Sequence, residues 1–283
     1  MNDIATAADG VPIHYEAHGS ELHGLELHGQ AAPALVFVHG WCCDRTYWHK
    51  QIEHFTSPAP QSPDNSSCTI VAIDLAGHGD SGAGRAEWTM QAFGQDVVAV
   101  IEALGLTRTI LIGHSMGGPV IVEAARQMPN RVIGLIGADT LLNPERQRTP
   151  AYIAAQLAPL QRDFAQATRA LVRHGMFVPT SDAAWAARIV DDMASAPPHV
   201  GIGAMAALLN HDDELHAGLH ALRDIPFVLI NADYHQTNLE ATQRQGMTVK
   251  LMADVGHFVM QEDAATFNRL VEAAVRMMLD NGE

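Results

Sequence analysis

Short, largely continuous apolar runs alternate along this chain with longer stretches in which apolar positions recur every three or four residues. The runs are Ala34–Val38, Thr69–Asp74, Thr109–Gly113, Val132–Ala138, Phe227–Asn231 and Thr248–Met252. Continuous apolar runs of this length predict strands buried on both faces of a parallel sheet. The periodic stretches Thr46–Phe55, Met90–Leu104, Met116–Gln127 and Ala264–Leu279 predict helices. The alternation as a whole predicts an α/β fold with a mostly parallel central sheet flanked by helices. One strand candidate differs: Val11–Ala17 alternates polar with apolar and contains Pro12, which marks an edge strand.

Two stretches break the rhythm. Residues 20–32 hold a small echo, Glu21-Leu22-His23-Gly24 and Glu26-Leu27-His28-Gly29. It reads as a hairpin or surface loop with His23 and His28 solvated. From about Asn143 to Leu222 the chain is Ala-rich and helical in pattern, punctuated by Pro150, Pro159, Pro179 and Pro197-Pro198. This stretch falls between two sheet strands, so a helical cap inserted after the sixth strand is expected. The domain boundaries are then 1–142 and 223–283 for the core and 143–222 for the cap.

Candidate chemistry centres on Gly113-His114-Ser115-Met116-Gly117, which directly follows the apolar run Thr109-Ile110-Leu111-Ile112. A Gly-x-Ser-x-Gly segment between a strand and a helix is a nucleophile elbow: the turn is too tight for side chains at the flanking positions, and it lifts the serine above the carboxyl edge of the sheet. Serine is a weak nucleophile and needs a base, and the base needs an orienting acid. The base candidate is His257, in the loop after Thr248–Met252 and before the last long helix. Its place in chain order fits the elbow. An oxyanion forming at the reacting carbonyl needs two N–H donors. The backbone N–H of Met116, just after Ser115, is one. The other is that of Trp41, at the end of the strand Ala34–Val38 and the turn His39-Gly40, which leaves the Trp41 side chain free to line the pocket.

Four segments then carry a family likeness: His39-Gly40-Trp41, Asp74-Leu75-Ala76-Gly77-His78-Gly79-Asp80-Ser81, Gly113-His114-Ser115-Met116-Gly117-Gly118, and Gly256-His257-Phe258. In this order, and spanning nearly the whole chain, they resemble the α/β-hydrolase fold superfamily, in particular its capped single-domain esterases and carbon–carbon hydrolases. The resemblance implies a structural role for Asp74 to Ser81. Serine at 115 separates the chain from relatives whose nucleophile is aspartate. The commonest family pattern ends the seventh strand with Gly-x-x-Asp, whereas here Ala232 and His235 stand at those two places. Two acids therefore compete. Asp139 ends the strand Val132–Ala138, the sixth-strand position that some capped members use, and it is the favoured acid. Asp233 is the alternative.

Composition narrows the field. The chain has 283 residues, 47% of them apolar, enough for one large domain with an insertion, or for two domains. Its 32 acidic and 17 basic residues give a formal charge of −15, which argues against a nucleic-acid or anionic-membrane face. Three cysteines, Cys42, Cys43 and Cys68, two of them adjacent, argue against a disulfide framework. No signal peptide or membrane span is visible in the pattern, so a cytoplasmic location is expected. The residues His211, His216 and His220 lack zincin spacing, so a polar cap face is expected there and no metal or other cofactor is called for. The expected activity is hydrolysis of a small-molecule carboxylic ester, with an apolar acyl or aryl part, through an acyl-enzyme on Ser115. Other reactions on the same residues remain open: carbon–carbon bond hydrolysis, lactone opening, perhydrolysis, and cofactor-free oxygenation, whose enzymes resemble this chain in Gly40-Trp41-Cys42 and in a sixth-strand acid. A non-enzymatic ligand-binding protein on this fold is the remaining alternative.

Overall fold

The computed structural model describes residues 2–19, 26–27, 30–31, 33–57 and 68–280. Eight strands form one sheet: β1 (Asn2–Thr6), β2 (Pro12–His18), β3 (Ala34–Val38), β4 (Thr69–Ile73), β5 (Thr109–His114), β6 (Val132–Ala138), β7 (Phe227–Ala232) and β8 (Met247–Met252). Their spatial order is β1-β2-β4-β3-β5-β6-β7-β8. Strands β3 to β8 run parallel to one another, and β2 runs antiparallel to both of its neighbours. The central strands β3, β4 and β5 are buried at every position, as their unbroken apolar runs require.

The edge assignment for Val11–Ala17 does not hold. Asn2–Thr6 adds a further strand outside it, pairing Asn2 with Glu16 and Thr6 with Pro12. Pro12 is tolerated because it is the first residue of its strand, where the missing N–H costs no ladder bond. In the echo region, Glu26–Leu27 pairs with Gln30–Ala31 in a separate two-stranded ribbon, and His23 and His28 lie outside the described residues.

Helices cover both faces. One face carries α1 (His49–Thr56) and α11 (Ala264–Asp280), and the other α2 (Met90–Ala103) and α3 (Gly117–Gln127). Between β6 and β7 the chain forms five helices: α4 (Pro150–Arg162), α5 (Phe164–Gly175), α6 (Ala183–Ala194), α7 (Pro198–Leu209) and α8 (Asp212–Ala221). Within this insert Phe164 and Met193 are buried, and Tyr152 is exposed. Two short helices follow, α9 (Leu239–Arg244) and α10 (Val259–Glu262). Among the described residues no helix is long and apolar enough to cross a membrane.

The segment Asp74 to Ser81 acts as a brace for the turn after β3. The Asp74 carboxylate accepts from the backbone N–H of Arg45 (2.7 Å) and of Asp80 (2.9 Å) and pairs with the Arg45 guanidinium. Gly79 has φ of +52°, and a Cβ there would lie 2.3 Å from that carboxylate, so only glycine fits. His39 Nε2 accepts from the N–H of Leu75 (3.0 Å), which puts its proton on Nδ1 to face the Gly40 carbonyl (2.8 Å). Burial pushes His39 down to about 4, and burial with the neighbouring His39 pushes His78 down to about 3. Both rings are therefore neutral in the folded chain.

A histidine whose folded value lies below its unfolded value, about 6.5, contributes stability that is intact above that value and lost as pH falls toward the folded value. The urea midpoint of the wild type should therefore fall more steeply between pH 7 and pH 5 than that of His78→Gln, which removes one such group. Equal slopes for the two proteins would contradict the assignment.

Candidate active site

Strand β5 runs straight into the elbow. Ser115 sits at its apex with φ of +53°, a left-handed conformation that a residue with a side chain adopts only when its surroundings enforce it. The enforcement is visible in the two flanking glycines. A Cβ on Gly113 would lie 2.3 Å from the Gly117 carbonyl oxygen, and one on Gly117 would lie 2.6 Å from that of Val38. The turn is locked from β6 as well: the N–H of Ser115 donates to the Ala138 carbonyl (3.0 Å), and the Thr140 hydroxyl donates to the Ser115 carbonyl (2.7 Å). Helix α3 starts two residues later, so its positive end lies beside the serine.

His257 and Asp139 are brought together. The imidazole Nδ1 lies 2.6 Å from Asp139 Oδ2, and the other carboxylate oxygen accepts from the N–H of Ala232 (2.9 Å). With Nδ1 facing the carboxylate, the Nε2 of a neutral ring is the acceptor. Asp139 is fully buried at its side chain and has φ of +42° at the end of β6. Asp233 is exposed, and among the described residues its carboxylate contacts no histidine. Of the two acids expected from sequence, only Asp139 meets His257. Ser115, Met116, Asp139 and His257 line one pocket of about 200 Å³, and no hydrogen bond joins the serine hydroxyl to the imidazole in this unliganded geometry. Such contacts often tighten only when substrate is bound.

The Gly40 turn abuts the elbow so closely that a Cβ there would lie 3.1 Å from the Ser115 Cβ. Among the described residues the backbone N–H groups of Trp41 and Met116 have no hydrogen-bond partner. The Trp41 side chain departs from expectation. Its indole donates to the Gly201 carbonyl (2.7 Å) and packs edge-on against Phe164, so it anchors the helical insert and does not line this pocket. Cys42 and Cys43 are buried in the core beside it, and burial pushes both thiols upward, away from the thiolate.

The mount of His257 is a feature that sequence reading missed. The insert segment Met176–Ser181 grips the histidine loop at three points: the N–H of His257 donates to the Met176 carbonyl (2.8 Å), the Thr180 hydroxyl donates to the Asp254 carbonyl (3.0 Å), and Glu262 joins both sides. Glu262 Oε1 accepts from the N–H of Gly256 (3.0 Å), while Oε2 accepts from the Ser181 hydroxyl (2.5 Å). A Cβ on Gly256 would lie 2.5 Å from the Met176 carbonyl oxygen, which is why glycine precedes the histidine. Phe177 stacks on Phe258 at 5.7 Å and closes the socket. From below, the His114 ring packs 4.7 Å from that of His257, and its Nε2–H donates to the His257 carbonyl (3.0 Å). Burial, then the nearby His257, holds His114 well below the usual histidine range, so it stays neutral beside His257.

The histidines of the α7–α8 region do not assemble. His211 lies 3.3 Å from Glu123, and among the described residues no group of three His, Cys, Asp or Glu side chains is placed to hold a metal.

Comparison with known proteins agrees with the architecture. Residues 35–270 match the family described as "Alpha/beta hydrolase family". The chain is 31% identical over 124 residues to the dihydrolipoyllysine-residue acetyltransferase component of the acetoin cleaving system of Pseudomonas putida, a match covering 44% of this chain and 31% of that protein. It is 30% identical over 125 residues to the bifunctional esterase/perhydrolase DCH of Acinetobacter calcoaceticus, covering 44% and 39%. The chain thus matches about a third of the length of these curated relatives. A thermophilic esterase from Thermogutta terrifontis superposes with a TM-score of 0.77 over 98% of this chain and 99% of that one, at 20% identity.

Replacing Glu262 by Ala should lower the rate of any His257-dependent step by about tenfold, the effect of losing a charged hydrogen bond, with KM changed by less than twofold. Glu262→Gln, which keeps the acceptor for Gly256, should recover part of the loss. Steady-state kinetics of the two variants checks this; an unchanged kcat in Glu262→Ala would contradict it.

Proposed function

The chain belongs to the alpha/beta hydrolase family, and we propose that it is a serine hydrolase that cleaves small-molecule carboxylic esters through an acyl-enzyme on Ser115. The observation that carries this reading is the 2.6 Å contact between His257 and the buried Asp139, beside a serine held at φ of +53° in the same pocket. An imidazole oriented by a carboxylate, with its second nitrogen free, is the arrangement that activates a serine hydroxyl.

In the proposed reaction the Ser115 oxygen attacks the ester carbonyl carbon while His257 Nε2 takes its proton. The carbonyl π electrons move onto oxygen, and the N–H groups of Trp41 and Met116 stabilise that charge. The tetrahedral intermediate collapses, the bond to the alcohol oxygen breaks, and the imidazolium gives its proton to the leaving alcohol. Water then attacks the acyl-enzyme, deprotonated by the same histidine, and releases the acid and free serine. Asp139 holds the imidazole in this orientation and stabilises the imidazolium.

Helices α4–α8 are read as the cap, with residues 143–222 as its extent. Leu208 and Leu215 from this insert face Leu141, Leu142 and Pro119 across the pocket that holds Ser115. The apolar side of this pocket of about 200 Å³ suits a short acyl or alkyl group, since drug-sized ligands need roughly 300 Å³ or more.

The test is a series of p-nitrophenyl esters of increasing chain length. Wild-type protein should turn them over, and Ser115→Ala should abolish the activity. Asp139→Asn should lower kcat by about 10³- to 10⁴-fold, the effect of holding the imidazole in the wrong tautomer. Asp233→Asn should stay within twofold of wild type. Near-full activity in Asp139→Asn together with loss in Asp233→Asn would overturn the assignment of the acid.

A further inference from the structure

We propose that the pocket above Ser115 contains an anion subsite built on Arg146, so that the preferred esters carry a carboxylate in addition to the scissile ester. The inference rests on the ester-hydrolase reading for the reaction, but the subsite itself is read from charge and hydrogen bonding in the pocket wall.

Four side chains with N–H donors line one pocket with Ser115 and His257: Asn143, Arg146, Arg148 and His211. The same wall holds two carboxylates, and both are fully committed elsewhere. Asp139 gives one oxygen to His257 and the other to the N–H of Ala232. Asp212 gives one oxygen to the Arg148 guanidinium and the other to the Arg148 backbone N–H (2.6 Å). Glu145, next in sequence to Arg146, points elsewhere and pairs with Arg244 at 2.7 Å. His211 faces Glu123. Arg146 lines the pocket as an exposed residue, and among the described residues it has no ion-pair partner, so its guanidinium is the unpaired charge at the pocket rim.

A second observation points the same way. The Nε atom of Arg148 is shielded from solvent and has no hydrogen-bond partner, although Nη1 of the same guanidinium pairs with Asp212. A buried N–H without an acceptor is costly and calls for one. The Arg146 position is also fixed locally: its N–H donates to the Asn143 carbonyl (3.1 Å), and the Asn143 side-chain oxygen accepts from the N–H of Glu145 (3.2 Å). The Asn143 amide nitrogen is left as a further donor. In a chain of formal charge −15, a lone cation at the rim of a small pocket is an isolated attraction for an anion. A guanidinium with nearby amide donors matches the planar geometry of a carboxylate.

Two pairs of esters test the proposal, one with the anion in the acyl part and one with it in the alcohol part. The first compares mono-p-nitrophenyl glutarate with p-nitrophenyl butyrate. The second compares 4-acetoxybenzoate with its methyl ester, followed by proton release. In at least one pair the ratio of kcat/KM for the charged ester to that for the neutral ester should fall about tenfold in Arg146→Ala, the scale of one charge-assisted hydrogen bond. Arg146→Lys should lie between the two. A ratio unchanged within twofold in both pairs would overturn the subsite while leaving the ester reading intact. Binding of glutarate itself, measured by calorimetry, judges the subsite without any turnover. Binding weakened by Arg146→Ala supports it even if no ester is cleaved, which would be a failure of the ester reading alone. No glutarate binding to the wild type, or binding equal in wild type and variant, overturns it.

Discussion

The close approach of two backbones at the end of β5 governs the site. The carbonyl of Val38 comes within 2.6 Å of where a Cβ on Gly117 would stand, and that of Gly117 within 2.3 Å of one on Gly113. These contacts leave room for no side chain at either position and force the intervening Ser115 to φ of +53°. The strain is local, and it persists because strands on both sides over-determine it. β3 supplies the wall of carbonyls, and β6 supplies both the acceptor for the Ser115 N–H and the acid, Asp139. The sheet order, with β5 between β3 and β6, is thus what brings the Gly40 turn, the serine and the carboxylate to one edge.

The helical insert is tied to that edge. Trp41 reaches into it to meet Gly201, and the segment Met176–Ser181 holds the loop of His257 by backbone and side-chain hydrogen bonds. His257 is therefore mounted half on the sheet, through Asp139 and His114, and half on the insert, through Met176 and Glu262. A displacement of the insert relative to the sheet would move the imidazole as well as the pocket wall, so the two are mechanically linked.

Much of this was legible in the sequence. The strands β3 to β7 announce themselves as apolar runs because both of their faces are buried, and the elbow is a local pattern whose glycines report a local crowding. Asp139 could be favoured because it ends a strand adjacent to the elbow's own, although choosing it over Asp233 required seeing that Asp233 faces solvent. β1 was missed because Asn2–Thr6 is a short, polar strand whose register depends on its partner. The Glu262 contact joins residues 81 positions apart, and the free charge of Arg146 depends on which neighbours Asp212 and Glu145 choose. Neither leaves a periodic trace. The direction of the Trp41 ring is equally absent from the sequence, because Gly201 and Phe164 decide it.

The central claim is that Ser115 is an activated nucleophile with Asp139 standing behind its base. The most direct measurement is covalent labelling with a fluorophosphonate, followed by mass spectrometry of the digested protein. The account predicts a single adduct, on the peptide containing Ser115, absent in Ser115→Ala and formed far more slowly in Asp139→Asn. No adduct on the folded wild-type protein, or an adduct that forms at Ser115 equally fast without the Asp139 carboxylate, would contradict it.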